Sequence, residues 1–490
     1  MTTTVLIAGA GPVGLTMAIE LARYGIPLRI IDKAPARTDK SKALVVWSRS
    51  LELLERAGCC AALVNAGVKT DAVNIIAGEK SIAHLKLDGI ESKYPYGLMI
   101  PQSETERVLD EFLKGLGVTI ERSVELIDFT STDDKVTSTL QHADGRRETI
   151  ETAWLIGCDG AHSTVRHKLG KEFHGETMLI DWILADVHLK NMEYKTEVTV
   201  VWHADGVLAL FPIADNRYRV IADVGATKEG GGSQPDPTLA DVQAVLDKRL
   251  PRVQAMDPVW LSAFRINERK VADYRAGRAF LAGDAAHVHS PAGGQGMNTG
   301  MQDACNLAWK LALVAKGTAS GKLLDSYTLE RSPIAEQVLK VTGRMTHLAT
   351  MTGGISQFLR NHTASLLLGL HPVRKLAAGA ASEISIGYPD SLLSVTGKKF
   401  HGNLSAGKRA PIRDGESPVG AGNQPLFVLF ADEDATTLNL IKQYSALLEP
   451  AIRPPYEPGG MWLVRPDGYI GVAAVQGDTE TVANYLGALK

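Results

Sequence analysis

Cysteine is scarce in this chain: 490 residues hold four, Cys59, Cys60, Cys158 and Cys305. None stands in a CxxC or other metal-ligand spacing, and adjacent Cys59 and Cys60 are poorly placed to bridge each other. That excludes a thiolate metal site and a dithiol redox centre, so no metal is expected, and it fits a reducing cytoplasm. Long apolar runs are missing too: none approaches the roughly 20 residues needed to cross a bilayer, so no membrane span is expected. The N-terminus enters a strand directly, with no basic stretch or cleavage signal, and no leader is expected. A net charge of −3 gives no electrostatic case for nucleic acid or acidic lipid. What is present, 45% hydrophobic and 22% charged residues, describes a globular protein long enough for two or three domains.

Three separated glycine and aspartate signatures carry the chemistry. Thr4-Val5-Leu6-Ile7-Ala8 is a short apolar run of buried-strand type. Gly9-Ala10-Gly11-Pro12-Val13-Gly14 follows, and then Val13, Met17 and Leu21 recur at helical spacing. Leu28 to Asp32 is the next strand, completing a βαβ unit. Gly9, Gly11 and Gly14 allow a tight turn, close approach of backbone to a pyrophosphate, and close packing of helix on strand. The helix start offers it unpaired N–H groups. Asp32, 23 residues beyond Gly9 at a strand end, is placed to accept ribose hydroxyls. On this motif alone NAD and FAD both remain open.

The second signature, Asp159-Gly160, closes the apolar run Trp154-Leu155-Ile156-Gly157-Cys158; alone it reads as a plain turn. The third is Gly283-Asp284-Ala285-Ala286-His287, running on to Pro291-Ala292-Gly293-Gly294-Gln295-Gly296-Met297-Asn298 and a helix to about Lys316. An acid at a strand end, then glycines and a helix N-terminus, offers an acceptor for ribityl hydroxyls and donors for a charged ring edge.

Between about Asp181 and Val224 the texture changes. Glu197–Trp202 and Arg217–Ala222 are β-branched and aromatic, punctuated by Ala204-Asp205-Gly206 and Ala214-Asp215-Asn216, which predicts an antiparallel sheet. Trp202, Leu208, Leu210 and Phe211 are candidate pocket-wall residues of that sheet. Residues 394–425, rich in Gly, Pro, Ser and Lys, read as a linker. Beyond Leu426 a small βαββα pattern runs to Lys490, with the turn Arg465-Pro466-Asp467-Gly468-Tyr469 inside it.

In order and spacing, the three signatures resemble those of the class A flavoprotein monooxygenases, the para-hydroxybenzoate hydroxylase-type aromatic hydroxylases. The likeness spans essentially the whole chain and is greatest to the polyketide, phenol and resorcinol hydroxylases with a C-terminal thioredoxin-like domain. It implies an α/β fold: a discontinuous Rossmann-like FAD-binding domain, an inserted antiparallel β-sheet substrate domain and a C-terminal thioredoxin-like α/β domain. The expected divisions are 1–180 for the first FAD-binding part, with early substrate-domain strands around 70–100. The sheet then takes 181–270, the FAD-binding return with a helical segment 271–393, the linker 394–425, and the last domain 426–490.

The same resemblance implies roles for residues. Gly9, Gly11, Pro12, Val13 and Gly14 would hold the pyrophosphate, and Asp32, where most members carry Glu, the adenosine ribose. Lys42 takes the place of a family arginine, keeping the charge and losing the bidentate fork. Gln102 and Arg107 match a pattern that contacts the flavin side. Asp159 and Gly160 match a signature shared between FAD and NAD(P)H, and Gly283 and Asp284 would meet the ribityl chain. Pro291, Gly294, Gln295, Gly296, Met297 and Asn298 would line the ring and the oxygen site.

The activity implied is NADPH- or NADH-driven hydroxylation of a phenolic or polycyclic aromatic by dioxygen, through a flavin C4a-hydroperoxide. A small-molecule partner, a monomer or homodimer, and a cytoplasmic setting go with it. Candidates for chemistry at the ring are His287, His289 and Pro291, with Arg265 and Tyr274 upstream. Two alternatives stay open on the sequence: Baeyer–Villiger oxygenation on the same scaffold, and a non-catalytic binding protein of the Rab-escort and GDP-dissociation-inhibitor type.

Overall fold

The computed structural model describes residues 3–39, 41–78, 80–227, 235–351, 353–368 and 370–490. Its organising element is a six-stranded sheet in the spatial order 275–276, 279–281, 154–157, 5–8, 28–32, 121–122. All neighbours are parallel except the first pair. Strand Val5–Ala8 lies at the centre and is buried throughout, as a continuous apolar run in a parallel sheet requires. Helices Pro12–Arg23, Gln102–Gly115 and Gly296–Ala315 pack around it, the last buried over almost its full length. The chain leaves this sheet after Gly157 and returns at Arg275, so the nucleotide-type fold is assembled from distant segments.

A second sheet of eight strands draws five of them from that interval, in the order 287–288, 254–270, 174–190, 217–226, 206–214, 198–203, 72–77, 80–86. Both predicted turns join its hairpins, and Asn216 adopts the left-handed conformation its type tolerates. The sheet departs from a purely antiparallel one at a single pair, because 72–77 runs parallel to 198–203. It runs from His174 to Val288 and takes in 72–77 and 80–86, in the region around 70–100 where early strands were expected. Two 17-residue strands, His174–Lys190 and Gln254–Lys270, pair along their length with local register shifts. Their continuity carries the sheet from the aromatic-rich segment to the loop at His287.

The segment 394–425, expected as a linker, belongs to the C-terminal unit. Val395–Thr396 pairs in parallel with Val472–Ala473, extending a four-stranded sheet ordered 395–396, 470–475, 460–464, 428–430. Its glycine-rich composition hid a two-residue strand that needs no periodic pattern. Helices Ala435–Gln443 and Thr479–Ala488 complete the unit. One apolar core runs from Leu6 and Ile30 through Trp309 to Phe427, Leu463 and Val482, so this unit shares its interior with the parallel sheet.

Candidate active site

Glycine makes the turn after the first strand possible. Gly9 sits at φ +101°, and a Cβ there would lie 2.3 Å from the Cys158 carbonyl oxygen; at Gly14 it would lie 2.0 Å from the Gly9 oxygen. No L side chain fits either place. Gly11 differs: a Cβ there meets nothing within 4 Å, because the position faces open space at the helix start. Pro12 opens the helix and Val13 presses on Gly283 and Gly300, joining the first and third signatures. Asp32 folds back on the turn, accepting from the Ala10 and Ala34 amides at 2.7 and 2.8 Å.

A cavity of about 620 Å³ lies between the third signature and the large sheet. Asp284, Val288, His289 and Pro291 form one side, and Leu184, Ile221, Trp260 and Phe264 the other. Lys42, His162, Arg166, His167, Arg265 and Arg269 also line it, Arg265 paired with the Asp181 carboxylate at 2.8 Å. Asp284 is exposed to the cavity, yet the protein atoms crowded around it partly desolvate its carboxyl and push it above the usual range, against the pull of His287 and Lys42. His289 bonds the Ser290 carbonyl through Nδ1 at 2.9 Å, and burial, with His287 nearby, pushes its pKa down to about 4. It is therefore a neutral imidazole at neutral pH.

Several expected contact residues turn elsewhere. Arg107 lies outside the cavity on the outer face of its helix, paired with Glu104 and Glu111, because the i−3 and i+4 acids capture it. Gln102 clamps Ala43 to Glu106. Gln295 bonds the Ala380 carbonyl, Met297 enters the apolar core, and Asn298 ties the Trp47 amide to the Val45 and Gly294 carbonyls. What this segment leaves available is backbone: the first intrahelical donor is Thr299, so the amides of Gly296, Met297 and Asn298 precede it. Gly294, at φ +65°, packs on Val45 and Trp47.

Asp159 accepts the Val165 amide and is held among the residues that start the next helix; Gly160, at φ +77°, faces open space. His287 is buried and bonded to Asp303 at 2.7 Å, stacked between Tyr274 and His289. Trp202, Leu208, Leu210 and Phe211 do not line the cavity. Leu208 and Leu210 project to the opposite face, against Val242 and Leu246. Strand alternation decides which face a residue takes, and the sequence does not say which face is which. Trp260 and Phe264, on a strand whose apolar pattern is broken by Arg265 and Asn267, escaped notice for that reason.

Residues 2–342 match the FAD binding domain family, well over half the chain. The chain belongs to that family. It is 35% identical to the 6-methylpretetramide 4-monooxygenase of Streptomyces rimosus, across 99% of this chain and 93% of that protein. It is 33% identical to the pentachlorophenol 4-monooxygenase of Sphingobium chlorophenolicum, across 83% of this chain and 75% of that one. Among solved structures, the anhydrotetracycline hydroxylase OxyS from Streptomyces rimosus superposes with a TM-score of 0.82 at 29% identity, covering 100% of this chain and 99% of the other. This member of the FAD binding domain family is an FAD-dependent monooxygenase of the aromatic-hydroxylase type. The non-catalytic escort-type alternative gives way to these relatives.

The residues fit the cofactor. Open space at Gly11, unpaired amides at two helix starts and a carboxylate facing the cavity are the donors and acceptor a flavin dinucleotide requires. No described helix is long and apolar enough to cross a membrane.

Proposed function

We propose that the chain hydroxylates a phenolic polycyclic aromatic held in the 620 Å³ cavity, beside a flavin bound along the three glycine signatures. The observation that carries this reading is the cavity's two-sidedness: flavin-loop residues on one side, an apolar and aromatic sheet face on the other. Its volume, shared with the flavin ring beside Asp284 and Pro291, leaves room for a flat aromatic guest against the sheet. FAD supplies two-electron redox chemistry and the activation of dioxygen.

The chain's own residues do the rest. Gly11 and the amides of Val13 and Gly14 would take the pyrophosphate, Asp284 the ribityl hydroxyls, and Gly296–Asn298 the ring edge through backbone N–H groups. Asp32 would offer its remaining lone pairs to the adenosine ribose. Leu184, Ile221, Trp260 and Phe264 exclude water and hold the substrate ring flat. Lys42 and Arg269 favour an anionic guest, which lowers the pKa of a phenol and holds it as the electron-rich phenolate. His162, after the Asp159-Gly160 turn, would meet the phosphates of NADPH or NADH, while Arg166 holds the Ala161 and Ala285 carbonyls beside it.

The domain roles follow the same division. Segments 1–180 and 271–393 serve the cofactor, the large sheet serves the substrate, and 426–490 forms a thioredoxin-like unit with no cysteine and a structural task. Its βαββα order and four-stranded sheet support that assignment. Four buried, unbridged cysteines agree with a cytoplasmic setting.

The test is a set of phenolic naphthalenes, anthraquinones and tetracyclic compounds assayed for faster NADPH oxidation with an oxygenated product. A hydroxylated ring supports the reading; a lactone or ring-opened product points to Baeyer–Villiger chemistry instead. NADPH oxidation unaffected by every compound counts against it.

A further inference from the structure

The loop that carries Asp284 is braced from behind. Asp303, on helix Gly296–Ala315, is wholly buried. Its Oδ2 accepts the Gly283 amide at 3.1 Å and the His287 Nε2–H at 2.7 Å, and its Oδ1 accepts Arg331 Nε at 2.6 Å. Three donors surround this side chain, so an ionised carboxylate satisfies them and an amide cannot. Burial works against its charge, and Arg331 and His287 outweigh burial, keeping the carboxyl below the usual range.

Gly283 needs such an anchor. It stands at φ +60°, where a Cβ would meet Val13 at 2.7 Å, so glycine is required, and glycine is the least constrained residue in the chain. A bond to its amide removes the freedom its side chain does not. Arg331 is fixed in turn by donating to the Tyr388 hydroxyl and the Thr299 carbonyl. An outer layer comes from the C-terminal hairpin, where Arg465 makes two bonds, at 2.6 and 2.9 Å, to the carboxylate of Glu330, the residue before Arg331.

We propose that Asp303 is a positioning residue for the cofactor, setting the backbone at Gly283 and the ring of His287 and so aiming Asp284 at the ribityl hydroxyls. The proposal rests on the reading that Asp284 meets FAD. Asp303 touches nothing in the cavity and acts through the loop.

The experiment compares wild-type holoprotein with Asp303→Asn, His287→Phe, Asp284→Ala and the two double variants that add Asp284→Ala. Each is diluted and the FAD released is read by its fluorescence. Asp303→Asn and His287→Phe are expected to weaken FAD binding roughly ten-fold or more, the scale of a lost charge-assisted hydrogen bond. On the Asp284→Ala background each should lose most of that effect, because it works through Asp284. A residue with a general structural role would lower thermal stability in every background and leave the two effects on FAD additive. Full additivity, or wild-type FAD affinity in the single variants, overturns the proposal. Should Asp303→Asn not fold, the His287→Phe cycle gives the same decision. Unchanged affinity in Asp284→Ala also overturns it, and marks the fault as lying in the placement of Asp284 rather than in the brace.

Discussion

At the scale of single residues, the glycines of the first turn divide by what a methyl group would meet. Gly9→Ala forces a Cβ against the Cys158 carbonyl at a left-handed φ, and more than about 2 kcal/mol of stability should be lost, measured by chemical denaturation. Gly11→Ala places its methyl in open space. It should leave the stability of the FAD-free protein within about 0.5 kcal/mol of wild type while lowering FAD affinity, read by titration. The two substitutions separate folding from binding within three residues.

Glu383 makes a residue-scale prediction about pH. It is buried, bonded by Thr299 and Gln302 at 2.7 and 2.6 Å, and burial pushes its pKa up to about 7 against those bonds and Arg331. The folded protein therefore holds a proton that the unfolded chain releases near its ordinary pKa of 4.5. Its contribution to stability is complete below that value and is lost as pH rises through about 7, amounting to about 3 kcal/mol at most. Glu383→Gln keeps the shape and cannot ionise, so denaturant midpoints from pH 5 to 8 should fall less steeply than in wild type. Parallel curves would show that Glu383 does not titrate there.

At the scale of elements, strand Gln254–Lys270 is the one that both reaches the flavin loop and walls the cavity. Trp260→Ala should raise KM for an accepted aromatic roughly two- to ten-fold, the worth of a lost aromatic contact. It should also divert more NADPH oxidation into hydrogen peroxide, read as the ratio of peroxide to hydroxylated product. An unchanged ratio would place the substrate elsewhere.

This is also the scale at which the sequence was unevenly legible. The βαβ unit and both hairpin turns could be read because each depends on local rules: an apolar run, a glycine turn, a helical period. Strand His174–Lys190 pairs with partners dozens of residues away, and no local pattern shows which of its faces meets the cavity. Arg107, Gln295 and Asn298 stand where flavin contacts were expected, yet nearby acids and carbonyls hold their side chains. In the glycine-rich segment the motif reports a backbone path, and side-chain identity serves to hold that path. Asp303 could have been suspected as the single acid of helix Gly296–Ala315, a signal the periodic reading passes over.

For the molecule as a whole, the C-terminal unit is fastened by charge as well as by the shared apolar core. Arg465, Glu330, Lys310 and Asp467 are buried together, with Glu330 held in its ionised form and Lys310 pushed down to about 8 by burial against the pull of Glu330. Arg465→Met strands two carboxylates in the interior and should cost about 3–5 kcal/mol in denaturant unfolding. Because that hairpin stands behind Glu330 and Arg331, FAD retention should fall with it. A loss of stability with FAD affinity intact would separate the C-terminal unit from the cofactor site.

In the proposed reaction one atom of dioxygen enters a ring held in the cavity. The most direct measurement is mass spectrometry of the product formed with NADPH under ¹⁸O₂ from a phenolic polycyclic compound that accelerates NADPH oxidation. A product heavier by one ¹⁸O atom, with no label from H₂¹⁸O, is expected. An unlabelled product, or quantitative hydrogen peroxide with no oxygenated product from any accelerating compound, would contradict it.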